Sequence, residues 1–234
     1  MITVRKRNGR TEPLDISKIK KYTSGAVEGL ENVNQSELEL DAKIQFRDQI
    51  STEEIQKTLI KTAVEKIDID RPNWTFVAAR LFLYDLYHKV NGFSGYGHLK
   101  EYFERGEKEG RILLGLKEKF DLEDLNAYIK PERDLQFNYL GAKTLHDRIE
   151  LPQHMFMAIA MFLAQNEFNP QDWAKKFYDL ISKFEVMLAT PTLSNARTTR
   201  HQLSSCYIGS TPDNIEVIFD SYKEMSLLSK FGGG

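Results

Sequence analysis

The sequence predicts a mainly α-helical protein that opens on a small β-hairpin, and three observations carry that expectation. Apolar residues recur at three- and four-residue spacing through most of the chain. Helix punctuation recurs with them: an S-x-x-E box at Ser51 and Glu54, and prolines at 72, 152 and 170 ahead of periodic runs. The first fifteen residues instead read as two short extended runs around Asn8-Gly9, a pair that supplies the positive φ angles of a tight type I′ turn. With 234 residues and 41% hydrophobic side chains, the chain can build one large domain or two modest ones.

After the hairpin, helical patterns cover about 16–30, about 36–48 and 51–67, the last carrying Ile55, Leu59, Ala63, Val64 and Ile67 behind its capping box. A fourth runs over roughly 73–91, with Val77, Leu81, Tyr84 and Leu86 turned inward, and ends in the glycine-rich stretch 91–97, the first expected domain boundary. Further helices are expected at about 98–110, 121–129 and 134–148, then from Pro152 to Asn166 and from Pro170 to about Phe184. Met155, Phe156, Ile159, Ala160 and Leu163 recur at helical spacing and read as core. The character then changes. Phe184 to Leu188 reads as a strand, 189–213 as a long polar loop, and Asn214 to about Ser229 as a final helix before three glycines.

Composition excludes several classes of function. Thirty-two basic against 34 acidic side chains give a formal charge of −2, so no global field recruits nucleic acid or an anionic membrane. No run approaches the ~20 apolar residues of a membrane span, and the opening MITVRKRNGR lacks the apolar core of a signal peptide. The expected location is the cytoplasm. A single cysteine, Cys206, excludes an internal disulfide and any cysteine-rich zinc site, and no metal site is expected.

An anion site is nevertheless expected locally. Arg5, Lys6, Arg7, Arg10, Lys18, Lys20 and Lys21 outnumber Glu12 and Asp15 in the segment that runs from the hairpin into a helix N-terminus near Ser17. Side-chain cations and free backbone N–H groups there can meet phosphates, although a solvated basic hairpin has the same composition. The order of residues goes further. Val4-Arg5-Lys6-Arg7-Asn8-Gly9-Arg10 followed by Leu14-Asp15-Ile16-Ser17-Lys18-Ile19 resembles the opening of the ATP-cone domain, and the similarity continues to about residue 92 through Ala78-Ala79-Arg80. The resemblance implies ATP or dATP bound as an allosteric effector by Lys6, Arg7 and the segment Glu12, Pro13, Leu14, Asp15, Ile16, Ser17 and Lys18, with Thr52 and His88 contributing. The pattern departs at Gln56 and Asp85, where some members of the family carry histidines. A carboxylate at 85 would repel nearby phosphates.

By itself a lone cysteine packs quietly as a small apolar residue. Its neighbours say more. Leu188-Ala189-Thr190-Pro191-Thr192-Leu193-Ser194-Asn195 followed by Ser204-Ser205-Cys206 resembles the start of the catalytic domain of ribonucleotide reductase large subunits, best the aerobic class I ribonucleoside-diphosphate reductases. That resemblance implies an ATP cone over 1–92, a helical region over 93–184, and over 185–234 the first strand, loop and helix of a ten-stranded α/β barrel completed elsewhere. It implies that Cys206 is one of two thiols that become a disulfide as a ribose 2′-hydroxyl is replaced by hydrogen. It further implies that Thr190 and Ser205 lie with Cys206 at the substrate, and that Asp213, Asn214 and Ile215 open the helix holding a deoxynucleoside triphosphate specificity effector. Turn and capping chemistry remains an open reading for Thr190, Ser205, Asp213 and Asn214.

The implied partners are the rest of the large subunit, a radical-generating small subunit carrying the radical cofactor, a second large subunit, and thioredoxin or glutaredoxin as reductant. The chain alone is then expected to be inactive, as one product of a split gene or a piece ending at an intervening sequence or cloning boundary. A stand-alone ATP/dATP-binding regulatory module is the rival. The known regulator of that kind carries a four-cysteine zinc ribbon, which one cysteine cannot build.

Overall fold

The structure is a computed structural model and describes residues 2–42, 48–146 and 150–234. The chain divides into two compact units, residues 1–97 with 130–153 and residues 98–129 with 154–234.

In the first unit β1 (Thr3–Arg5) and β2 (Thr11–Pro13) pair antiparallel with Val4 opposite Glu12. The turn between them is not the expected type I′. Gly9 alone is left-handed, at φ 80°; its N–H donates to the Lys6 carbonyl at 3.0 Å and the Lys6 N–H to the Arg10 carbonyl at 2.8 Å. This is a three-residue loop closed by a glycine bulge, and Asn8 does not take a positive φ, while its Oδ1 accepts from the Arg10 N–H at 3.1 Å. A third strand, β3 (Ile50–Ser51), lies parallel to β1 with Arg5 opposite Ser51. Two residues are too few to show a period of two, so the sequence offered no sign of it.

The helices of this unit are α1 (Ile16–Val27), α2 (Gln35–Asp41), α3 (Thr52–Glu65), α4 (Trp74–Asn91) and α7 (Tyr139–His146). The helix expected over 36–48 is confined to α2, with 43–47 outside the described residues. Ser51 caps α3 as expected, its Oγ accepting from the Glu54 N–H at 3.0 Å. Left-handed Gly92, at φ 78°, closes α4 by donating to the His88 carbonyl at 3.0 Å. Between those ends α4 is buried nearly all round, at Trp74, Val77, Ala78, Leu81 and Leu86 among others, so neighbours cover every side of it. Arg80 explains part of the Ala78-Ala79-Arg80 signature: Nη1 donates to the Ala26 and Glu28 carbonyls, at 3.3 and 2.6 Å, where α1 ends with orphan acceptors.

One helix expected over 134–148 is two elements, a 3-10 turn over Pro131–Gln136 and α7. Asn138 divides them, because its Oδ1 accepts from the Gly141 N–H at 2.7 Å and caps α7. Within the turn, buried Asp134 takes hydroxyl bonds from Tyr87 and Tyr96, both 2.6 Å to Oδ2, and an amide bond from Gln153 Nε2, 2.8 Å to Oδ1. Burial pushes this carboxyl up to about 6 in spite of the three donors.

The second unit holds α5 (Leu99–Lys108), α6 (Leu122–Tyr128), the body of α8 (Pro152–Ala164), α9 (Pro170–Ser182), α10 (Thr190–Asn195) and α11 (Ile215–Lys230). Met155, Phe156, Ile159 and Ala160 of α8 are buried as the spacing predicts and Leu163 is half-buried, but Met157, Ala158 and Met161 are buried too, so α8 is covered on every side rather than along one stripe. The strand expected over 184–188 does not form. Phe184 turns left-handed at φ 58°, and the Glu185 and Val186 N–H groups fold back onto the Leu180 carbonyl at 3.0 and 3.2 Å. A strand needs a ladder partner, and the sheet of the described residues contains only β1 to β3. The expected polar loop is interrupted by α10, with Pro191 in its first turn. Arg197, buried, fixes the segment after it: the Leu113 N–H donates to its carbonyl at 3.0 Å. No helix among the described residues is long and apolar enough to cross a membrane.

Candidate functional site

The parallel pairing of β1 with β3 organises the hairpin region. Opposing Arg5 to Ser51 starts α3, and therefore Thr52, beside the end of β1 where the Lys6–Arg10 turn begins. The last turn of α4 closes in on the same turn. Arg7 Nη2 is paired with Asp85 Oδ1, and Arg7 Nη1 donates to the Asp85 backbone carbonyl at 3.2 Å. Lys89 Nζ holds Asp85 Oδ2 at 2.8 Å. The carboxylate that the sequence sets against phosphate at position 85 is therefore already paired. The Asp85 side chain is 5% exposed and lies between two cations.

Across the hairpin, Glu12 Oε2 lies 3.8 Å from Lys6 Nζ and 3.7 Å from Lys18 Nζ, spacings that hold the lysines loosely. Asp15 caps α1, accepting from the Ser17 N–H at 2.9 Å and its hydroxyl at 2.5 Å. Those bonds, the hydroxyl first, hold the Asp15 carboxyl below its usual range. The α1 N-terminus is therefore partly satisfied by its own cap, which corrects the expectation of free N–H groups there. Pro13 and Ile16 are exposed and Leu14 is half-buried along this strand-to-helix segment.

His88 faces α1. Its Nε2 meets the Tyr22 hydroxyl at 2.6 Å and the Ser94 hydroxyl at 2.8 Å. Burial, then the charge of Arg7, hold this imidazole below its ordinary value, so it is neutral at pH 7. Gln56 is spent elsewhere: its Nε2 donates to the Leu81 carbonyl at 2.6 Å, one turn before Asp85 on α4. The sequence reading missed Tyr22 and the paired state of Asp85. Both left a signal, because Tyr22 lies four residues beyond Lys18 on α1 and Asp85 four before Lys89 on α4.

The region around Cys206 is more open. Cys206 is exposed and unpaired in any disulfide, with Sγ 3.7 Å from Ser205 Oγ. The flanking backbone exchanges two bonds with Gly234: the Tyr207 N–H donates to its carbonyl at 2.8 Å, and its N–H donates to the Ser205 carbonyl at 2.7 Å. Thr190 opens α10. Asn214, rather than Asp213, caps α11, its Oδ1 accepting from the Glu216 and Val217 N–H groups at 2.9 and 3.4 Å. Ile215, Phe219, Tyr222 and Met225 of that helix are exposed.

The ATP cone domain profile matches residues 2–89, and the profile described as ribonucleotide reductase, all-alpha domain, matches residues 135–201. The ribonucleoside-diphosphate reductase subunit alpha of Helicobacter pylori strain 26695 is 74% identical over 100% of this chain. The chain belongs to the ribonucleotide reductase large-subunit family. More distant relatives are the subunit of the same name from Synechocystis sp. PCC 6803, 34% identical over 100% of the chain, and the ribonucleoside-diphosphate reductase 1 subunit alpha of Escherichia coli K12, 32% identical over 93%. The chain spans about a third of the length of these large subunits, 31% of the Helicobacter and Escherichia proteins and 32% of the Synechocystis one. The residues matched to the ATP cone take in β1 to β3, α1 to α3 and α4 up to its last two residues. Among the described residues, no group of three or more His, Cys, Asp or Glu side chains is placed to hold a metal ion.

Proposed function

We propose that this chain supplies the amino-terminal part of a ribonucleoside-diphosphate reductase large subunit and regulates it by binding ATP or dATP at the cone. The observation that carries the reading is the 74% identity to a reductase alpha subunit over 100% of the chain, together with the cone match over residues 2–89. Cations and hydroxyls suited to a triphosphate support it: Lys6, Arg7 and Lys18 supply charge, and Thr52 supplies a donor at the start of α3. Glu12, Pro13, Leu14, Asp15, Ile16 and Ser17 line the approach, and His88 closes it.

In the complete enzyme Cys206 is one of two thiols below the ribose. The ribose 2′ C–O bond breaks and its oxygen leaves as water, a C–H bond forms, and the two thiols give up two hydrogens as their disulfide forms. The radical that activates the sugar comes from the small subunit, and thioredoxin or glutaredoxin restores the dithiol. The second thiol and the rest of the barrel that 185–234 begins lie on the remaining part of the large subunit. Thr190 and Ser205 bind substrate oxygens without adding charge, and Asp213, Asn214 and Ile215 stand at the specificity effector.

Two measurements test this. Calorimetric titration of ATP and dATP into the chain should show binding that Lys6→Ala/Arg7→Ala abolishes; unchanged binding in that double variant removes the cone assignment. Combining the chain with the rest of the large subunit, the small subunit and thioredoxin should give diphosphate reduction that Cys206→Ser abolishes. Turnover that survives the substitution removes the redox role.

A further inference from the structure

We propose that Asp85 is an internal competitor for effector phosphate: it occupies Arg7 in the empty cone, and a bound triphosphate must take Arg7 from it. The inference rests on the cone reading above and concerns a residue outside the set assigned to nucleotide contact.

Geometry carries it. Asp85 grips Arg7 through both its carboxylate and its own backbone carbonyl, so two guanidinium nitrogens are committed to one residue. The carboxylate is 5% exposed and needs a counterion, because an unpaired charge at that depth is costly. Lys89, 2.8 Å from the other carboxylate oxygen, is the reserve. When Arg7 turns to a phosphate, Asp85 keeps one cation and is not stranded. A carboxylate and a phosphate ask for the same planar fork of donors, so they exclude one another at the nitrogens they share. Arg7 is 29% exposed at its side chain and sits in a solvent-facing turn, which leaves it free to be approached. Apparent affinity then scales with the fraction of Arg7 released from Asp85. The exchange involves phosphate alone, so it weighs equally on ATP and dATP.

The test is calorimetric titration of the full chain with ATP, dATP and inorganic triphosphate, after a thermal melt has established folding. Asp85→Asn keeps the shape and removes the charge, and should tighten all three ligands about tenfold, by a similar factor for each. Asp85→Ser reads the same contact if the amide variant does not fold. In an Arg7→Ala background the gain should vanish. An Asp85 variant that binds no tighter, while Arg7→Ala weakens binding, overturns the competition and leaves the site standing. A gain that persists without Arg7 assigns the effect to charge at a distance and also overturns it. Full affinity in Arg7→Ala alone would instead show that the cone reading has misplaced the site.

Discussion

Asp134 offers a test of the cone unit that needs no ligand. Its carboxyl stands about 6 against an unfolded value of 3.8, raised by burial. A carboxyl raised on folding binds its proton more tightly in the native state, so stability is highest below pH 4 and falls as pH rises through 6. At about 1.4 kcal/mol for each pH unit between those two values, the group accounts for about 3 kcal/mol in total, of which about 2 kcal/mol falls between pH 4 and pH 7. Asp134→Asn removes the titration and keeps an acceptor for the two tyrosines. Urea unfolding of both proteins at the two pH values should therefore move the stability difference about 2 kcal/mol in favour of Asn at the higher pH. Asp134→Ala removes the acceptor shared by the Tyr87 and Tyr96 hydroxyls and the Gln153 side-chain amide. At about 1 kcal/mol each it should lie about 3 kcal/mol below Asn at pH 7. A difference between wild type and Asn that does not change with pH would refute the buried, titrating carboxyl. Equal stability of Ala and Asn would refute its role as the shared acceptor.

Three other outcomes are expected. On the proposed site, effector phosphate beside His88 would raise an imidazole that burial and Arg7 hold down, so binding takes up a proton and ATP affinity should rise as pH falls from 8 to 6. His88→Asn should flatten that profile in calorimetric titrations. In α5, a methyl at Gly106 would come within 2.6 Å of Ile112 Cγ1, so Gly106→Ala should cost about 1–3 kcal/mol and lower the melting midpoint by several degrees. Cys206 is exposed, so iodoacetamide should label the native chain without denaturant, and Cys206→Ser should change stability by less than about 0.5 kcal/mol.

The helices were legible because their signals are local. Ser51 with Glu54, Gly92 after α4 and the methionine stripe of α8 each declare themselves within one or two turns of chain. What the sequence hid depends on distant partners. β3 exists because Ile50 and Ser51 lie beside β1, and the strand expected over 184–188 finds no such neighbour among the described residues. Asn8-Gly9 announced a reversal correctly, but the choice between a two-residue and a three-residue loop turned on whether Asn8 would also be left-handed. Within the cone the residue types were readable and their pairing was not. Asp85 was legible as a carboxylate near the expected phosphate, but not its place between Arg7 and Lys89.

The distribution of rigidity in the cone locates the response to effector. α4 is walled in by apolar neighbours and tied along its length to other elements: Gln56 of α3 donates to the Leu81 carbonyl, and α4's own Arg80 and Tyr87 donate to the end of α1 and to Asp134. Moving it would break all three contacts and uncover a buried helix. Among the described residues the Lys6–Arg10 turn is held more lightly: its residues beyond Lys6 are exposed, and Arg7 ties it to Asp85. Exchange of Arg7 from carboxylate to phosphate should therefore be absorbed by the turn, with α4 holding still. Hydrogen exchange with and without ATP reads this directly. Protection should rise at residues 6–10 and stay constant along α4; a comparable change in both segments would mean that the helix moves with the turn.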